Sequence, residues 1–150
     1  MTLPTTSPSK PQAASPSPTS AEDAIRQSYT QYWAALPRAE HADSESQRRE
    51  LLADYATDPQ LGTALRGIDD LHGKDLTSTG YVVVHIRRVQ LSSGTATVWD
   101  CQDATQALIR KRSTGKAVSR GVSHDYLRAT LVRGSDGRWR ISKFAPLTHC

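Results

Sequence analysis

The sequence contains no asparagine. That excludes N-x-S/T glycosylation and any Cys-His-Asn constellation of the papain type. Its apolar runs are only a few residues long, far short of the ~20 that cross a bilayer, which excludes a membrane-spanning helix. It has neither a P-loop nor a G-x-G-x-x-G motif, so a nucleotide cofactor has no support, and no other cofactor is expected. The five histidines are scattered, with no H-x-H or H-E-x-x-H spacing, so no metal site is expected. Met1 is followed by neither a basic region nor an apolar one, so no signal peptide is read.

What is present is one domain behind a tail of different composition. Five of the eight prolines and nine Ser or Thr fall in residues 1–20. Such a tract has almost nothing to bury and is expected to be disordered, leaving 21–150 as a domain with one modest core. Arginine outnumbers lysine fourteen to five, and net charge is +4. Residues 1–73 carry six basic and ten acidic groups, net −4, whereas 74–150 carry thirteen and five, net +8. The split fits either an anionic partner or acidic helices docked on a basic sheet.

The two cysteines are Cys101 and Cys150. A bridge between them would staple a fraying last strand and imply an oxidising compartment. The other reading is a cytosolic chain with free thiols.

Helical periodicity begins with Ala21, Ala24, Ile25, Ser28, Tyr29, Tyr32, Trp33 and Leu36. Ser20 and Asp23 suggest a capping box, and Pro37 is expected to end this helix. A second helix is expected to start at Ser44, with Gln47 at N3, and to run towards Tyr55. A third has Asp58 as N-cap, Pro59 in the first turn, an apolar face of Leu61, Ala64, Leu65, Ile68 and Leu71, and Gly73 as its stop. The period then changes to two. Strands are expected over Tyr81–Leu91, Thr95–Cys101, Gln106–Arg112, His124–Arg133 and Arg138–Phe144, separated by Ser/Gly-rich turns. Three helices followed by about five antiparallel strands indicate an α+β fold.

This order resembles the NTF2-like superfamily, the cone-shaped α+β architecture shared with ketosteroid isomerase and scytalone dehydratase. The residues that carry the likeness are Tyr29-Thr30-Gln31-Tyr32-Trp33, Tyr55-Ala56-Thr57-Asp58-Pro59, Thr95–Cys101, Asp136–Ile141 and the terminal Cys150. It covers about residues 21–150 and is nearest to small exported NTF2-like proteins of high-GC Gram-positive bacteria. The resemblance implies three helices packed on a curved antiparallel sheet, a Cys101–Cys150 disulfide, and a tail acting as the spacer after an export signal. It also implies a carboxylate in the cone of the enzymes, facing a Tyr, Asp or His.

Asp100 is the carboxylate in question. It shares strand phase with Ala96 and Val98, which would turn it into the cone, but Thr97 and Trp99 support the opposite phase equally. Tyr29, Tyr32 and His85 are its candidate partners. A Tyr29, Tyr32 and Trp33 stripe is more often simply core, and His85 is more often solvent-facing. His124 and Asp125 adjoin in sequence and so face opposite sides of a strand. Arg110, Lys111 and Arg112, joined by Arg87, Arg88 and Arg120, form the densest basic cluster and the candidate anion site. Nucleic acid is disfavoured because this segment has no aromatic residue between Trp99 and Tyr126.

The leading expectation is therefore a non-catalytic binding or scaffolding module, exported or on the cell surface, with a cytoplasmic location as the alternative. Its partner would be a second copy through the sheet or an anionic envelope polymer. The rival is a ketosteroid-isomerase- or dehydratase-like enzyme with Asp100 as general base. A cone plugged by Trp33, Trp99 and Trp139 would argue against the enzyme.

Overall fold

The computed structural model describes residues 18–150 together with 2, 4 and 7–9. The tail expected over 1–20 otherwise lies outside the described residues. Helix α1 (Pro18–Glu40) buries Ile25, Tyr29, Tyr32, Ala35 and Ala39, one stripe at steps of three and four. Two expectations fail here. The helix starts before Ser20, and Pro37 lies inside it instead of ending it. Pro37 forfeits one backbone hydrogen bond, yet burial of Ala39 and Glu40 beyond it holds the last turn in place.

Helix α2 (Glu45–Ala53) is capped by Ser44, whose Oγ accepts the Gln47 N–H at 3.2 Å. Gln47 Oε1 in turn accepts the Asp43 N–H at 3.0 Å, so the capping box closes one residue earlier than in its usual form. Helix α3 (Gln60–Gly73) buries Leu61, Leu65 and Ile68. Its N-cap is Pro59, not Asp58 as expected, so Pro59 lies ahead of the first turn; Asp58 still accepts the Gly62 N–H at 3.0 Å.

Seven strands follow, all paired antiparallel. They are β1 (Leu76–Gly80), β2 (Ile86–Ser92), β3 (Thr95–Gln102), β4 (Ala107–Lys111), β5 (Ala117–Arg120), β6 (Asp125–Arg133) and β7 (Trp139–Pro146). Their orders are β1-β4-β5 and β2-β3-β6-β7. A bridge between Val83 and Asp103 continues the curved surface between the two groups. The helices cover its concave side, where Ala96 and Val98 of β3, Ala129 and Leu131 of β6, and Ile141 of β7 are buried. The Ile141 N–H donates to the Tyr55 carbonyl, and the Thr57 N–H to the Ile141 carbonyl, tying the α2–α3 connection to the edge of β7.

The expected count of about five strands is thus corrected to seven. Strand β1 is half-buried at four successive positions and β5 is exposed at all four, so neither shows the period-two alternation that marks a strand in sequence. The single strand expected over Tyr81–Leu91 begins only at Ile86.

Candidate functional site

Strand β3 turns Ala96, Val98, Asp100 and Gln102 inward, which resolves the phase of Asp100: its side chain faces the helices. The carboxylate is wholly buried. Tyr29 Oη of α1 donates to Oδ2 at 2.6 Å, and the His85 backbone N–H donates to Oδ1 at 2.7 Å. Burial pushes the Asp100 carboxyl above its ordinary range, opposed by the hydrogen bonds from Tyr29 and His85 and by the neighbouring Gln102 amide. Burial, reinforced by the Asp100 charge, pushes the Tyr29 hydroxyl up as well, so Tyr29 acts as a donor and does not ionise.

The other candidates separate from this pair. Tyr32 is buried, and its hydroxyl accepts Gln60 Nε2 at 3.1 Å. Tyr29, Tyr32, Trp33 and Phe144 pack with ring centroids 5.3–6.4 Å apart, so the aromatic stripe is core. His85 meets Asp100 only through its backbone. Its ring is exposed, with Nδ1 3.2 Å from the Cys101 carbonyl oxygen. Of the three tryptophans named as possible plugs, Trp33 packs inside and Trp139 is buried. Trp99 belongs to the opposite face, where the Arg88 guanidinium sits 3.8 Å from its ring centroid.

Two cavities lie between α1 and the segment that leads from β1 into β2. One, of about 640 Å³, lies against Arg26, Thr30 and Val83; the other, of about 230 Å³, against Glu40, Ser78 and Gln102. They share Trp33, Pro37, Tyr81 and Val82. Neither is lined by Asp100. Trp33 and Gln102, which line this cleft, are also polar neighbours of the Tyr29 hydroxyl, and Gln102 of the Asp100 carboxylate.

The basic cluster is divided between the two strand groups. Arg87 and Arg88 belong to β2, whereas Arg110, Lys111 and Arg120 belong to the other strand group. Arg110 donates to Thr79 Oγ1 and to the Gly115 carbonyl, and Arg120 to the Thr105 carbonyl. Arg112 instead lines a polar cavity of about 330 Å³. Sequence reading missed that cavity. Glu40 there is 6% exposed, accepts Thr77 Oγ1 at 3.4 Å and lies 3.4 Å from His72 Nε2. Burial raises the Glu40 carboxyl, opposed chiefly by the His72 charge. The signal was its place seven residues after Trp33 on one helical face, hidden because Pro37 reads as a stop. Gln102 was missed with less excuse, since it follows Asp100 at strand spacing.

Cys101 and Cys150 form a disulfide, with Cα atoms 5.9 Å apart. Among the described residues no group of three or more His, Cys, Asp or Glu could hold a metal ion, and no helix is long and apolar enough to cross a membrane.

No protein-family model matches the sequence, and no curated protein does either. Solved structures do match. The intermembrane-space region of the chloroplast protein ARC6 superposes with a TM-score of 0.66 at 15% identity, over 85% of this chain and 96% of that one. A dehydratase-named protein of the NTF2-like family from Streptomyces avermitilis gives 0.53 at 15% identity, over 87% and 99%. A ketosteroid isomerase-like protein from Erwinia carotovora atroseptica gives 0.52 at 15%, over 84% and 95%.

The chain has the NTF2-like fold. In NTF2-like terms, Tyr29 and Asp100 lie on the concave side of the cone, and the cleft along Trp33 and Tyr81 lies beside them. At 15% identity the likeness reaches the fold and stops there.

Proposed function

We propose that this NTF2-like domain is a non-catalytic binding module that works outside the cytoplasm, with the residues ahead of α1 as its spacer. Its ligand site is the cleft between α1 and Tyr81–Val84. The observation that carries this reading is the contrast between two neighbours on β3. Gln102 lines an open cavity, whereas Asp100 lines neither cavity and both its oxygens already accept hydrogen bonds. The ligand class that fits is a small, neutral, largely apolar molecule, matched to the Trp33, Pro37, Tyr81 and Val82 lining that the two cavities share. The Cys101–Cys150 disulfide supports an oxidising location.

The enzyme reading retains one favourable observation, the inward Asp100 with Tyr29 at 2.6 Å. Against it, a general base must reach the proton that it removes, and Asp100 has no exposed surface.

Both readings are tested with prodan, a neutral fluorescent ketone, and with an enolisable β,γ-unsaturated ketone in deuterated buffer. The expected result is saturable prodan binding, weakened at least tenfold by Ala107→Leu, which fills the smaller cavity, in a variant that melts cooperatively. Ketone exchange should stay at the buffer rate. Prodan binding untouched by Ala107→Leu overturns the cleft. Exchange that is fast with wild type and lost in Asp100→Asn would establish the enzyme.

A further inference from the structure

We propose that the outer face of the β2-β3-β6-β7 sheet binds an anionic polysaccharide. This surface lies on the opposite side of the sheet from the cleft, and its function does not depend on what the cleft holds. The register places Arg88 opposite Trp99 and Trp99 opposite Arg128, one row across three strands. The next row runs Gln90, Thr97, Thr130 and Lys143. Because side chains alternate, these residues point away from the helices, while Ala96, Val98 and Asp100 point toward them.

The charge on this face is one-sided. Arg88, Arg128 and Lys143 are exposed, and none forms an ion pair among the described residues. No Asp or Glu shares the outward phase in these rows. Asp100 faces inward, and Asp125 lies opposite Gln102 in the same inward phase. With strands about 4.8 Å apart, Arg88 and Arg128 stand about 10 Å from each other. That suits an extended chain carrying repeated anionic groups better than a single small anion.

Three observations choose among occupants. A second copy joined by two-fold symmetry through this face would set like-charged rows against each other with no carboxylate between them. Unstacked nucleic-acid bases need open aromatic faces, and one face of Trp99 is already covered by Arg88 at 3.8 Å. The disulfide favours a compartment where nucleic acid is not the usual polyanion. A carboxylated or sulfated polysaccharide meets all three conditions.

The test uses the disulfide-intact protein, a heparin oligosaccharide as probe and a (dT)20 oligonucleotide as rival. Arg88→Gln/Arg128→Gln/Lys143→Gln is compared with Arg110→Gln/Lys111→Gln/Arg112→Gln, since each removes three positive charges. The outer-face variant should lose at least tenfold in heparin affinity and most of the salt dependence, whereas the control should change by less than twofold. Arg88→Lys/Arg128→Lys keeps the charge and should bind within threefold of wild type, which separates lost contacts from lost folding. Equal losses in the two triple variants, no saturable heparin binding by wild type, or tighter binding of (dT)20 than of heparin would overturn the proposal.

Discussion

Tyr29 Oη donates to Asp100 Oδ2 at 2.6 Å, joining α1 to β3 across 71 residues of sequence. Both groups are buried, and the carboxylate's other oxygen is held by the His85 N–H. The contact therefore fixes three segments at once: the first helix, the central strand and the entry to β2. Its chemistry is that of a buried polar group kept satisfied, and removing one partner costs more than a surface hydrogen bond would.

Tyr29→Phe keeps the ring in the aromatic cluster and deletes only the donor. The expected cost is about 1–3 kcal/mol, because Asp100 is left buried with one hydrogen bond fewer. Urea denaturation should show a lower midpoint with an unchanged m-value. A midpoint equal to wild type would mean that water or Gln102 replaces the hydroxyl without loss.

How much of this was readable beforehand differs from residue to residue. The spacing of Ile25, Tyr29 and Tyr32 announces a core stripe because a helix buries one face, and the hairpin at Gly134–Gly137 follows from turn chemistry. The phase of β3 was not readable. Thr97 and Trp99 suit a half-buried face as well as Ala96 and Val98 suit the core, and the decision lies with Tyr29, far away in sequence. Trp99 reads as a core residue until β2 supplies Arg88 to cover it on the outside. Glu40 stayed hidden behind Pro37, since local propensity ends the helix where tertiary burial extends it.

The pH dependence of stability follows from the raised Asp100 carboxyl. An unfolded Asp titrates near 3.9, and in the folded chain the group holds its proton to higher pH. The native state therefore binds more protons between those two values, and stability falls as pH rises through that window. Glu40 is raised as well and acts in the same direction. Asp100→Asn removes only the Asp100 contribution, so the wild-type-minus-variant difference should become less favourable to wild type from about pH 4 towards neutrality. Parallel stability curves for the two proteins would contradict this.

The Cys101–Cys150 bond closes a separation of 49 residues and ties the chain end to the central strand. Chain-entropy reasoning gives at most about 4 kcal/mol for a loop of this size. Reduction, or Cys150→Ser, should lower the thermal midpoint by several degrees and speed proteolysis after Pro146. An intact mass that rises by two alkyl groups without prior reduction would show that the bond is absent from the purified protein.

Gly80 and Gly94 both adopt positive φ, +83° and +71°, but their surroundings differ. A Cβ on Gly80 would fall 1.9 Å from the Gln106 carbonyl oxygen, whereas one on Gly94 meets nothing within 4 Å. Gly94→Ala should cost about 1 kcal/mol, the conformational penalty alone. Gly80→Ala must also push β1 and β4 apart, because the obstacle is backbone and cannot rotate away. Its cost should be clearly larger, and the damage should fall on the smaller cavity, which Gly80 helps to line. Prodan affinity gives the decisive reading. Gly94→Ala should leave it unchanged, while Gly80→Ala should weaken it even where the protein remains fully folded; equal affinities in the two folded variants would place the ligand away from β1.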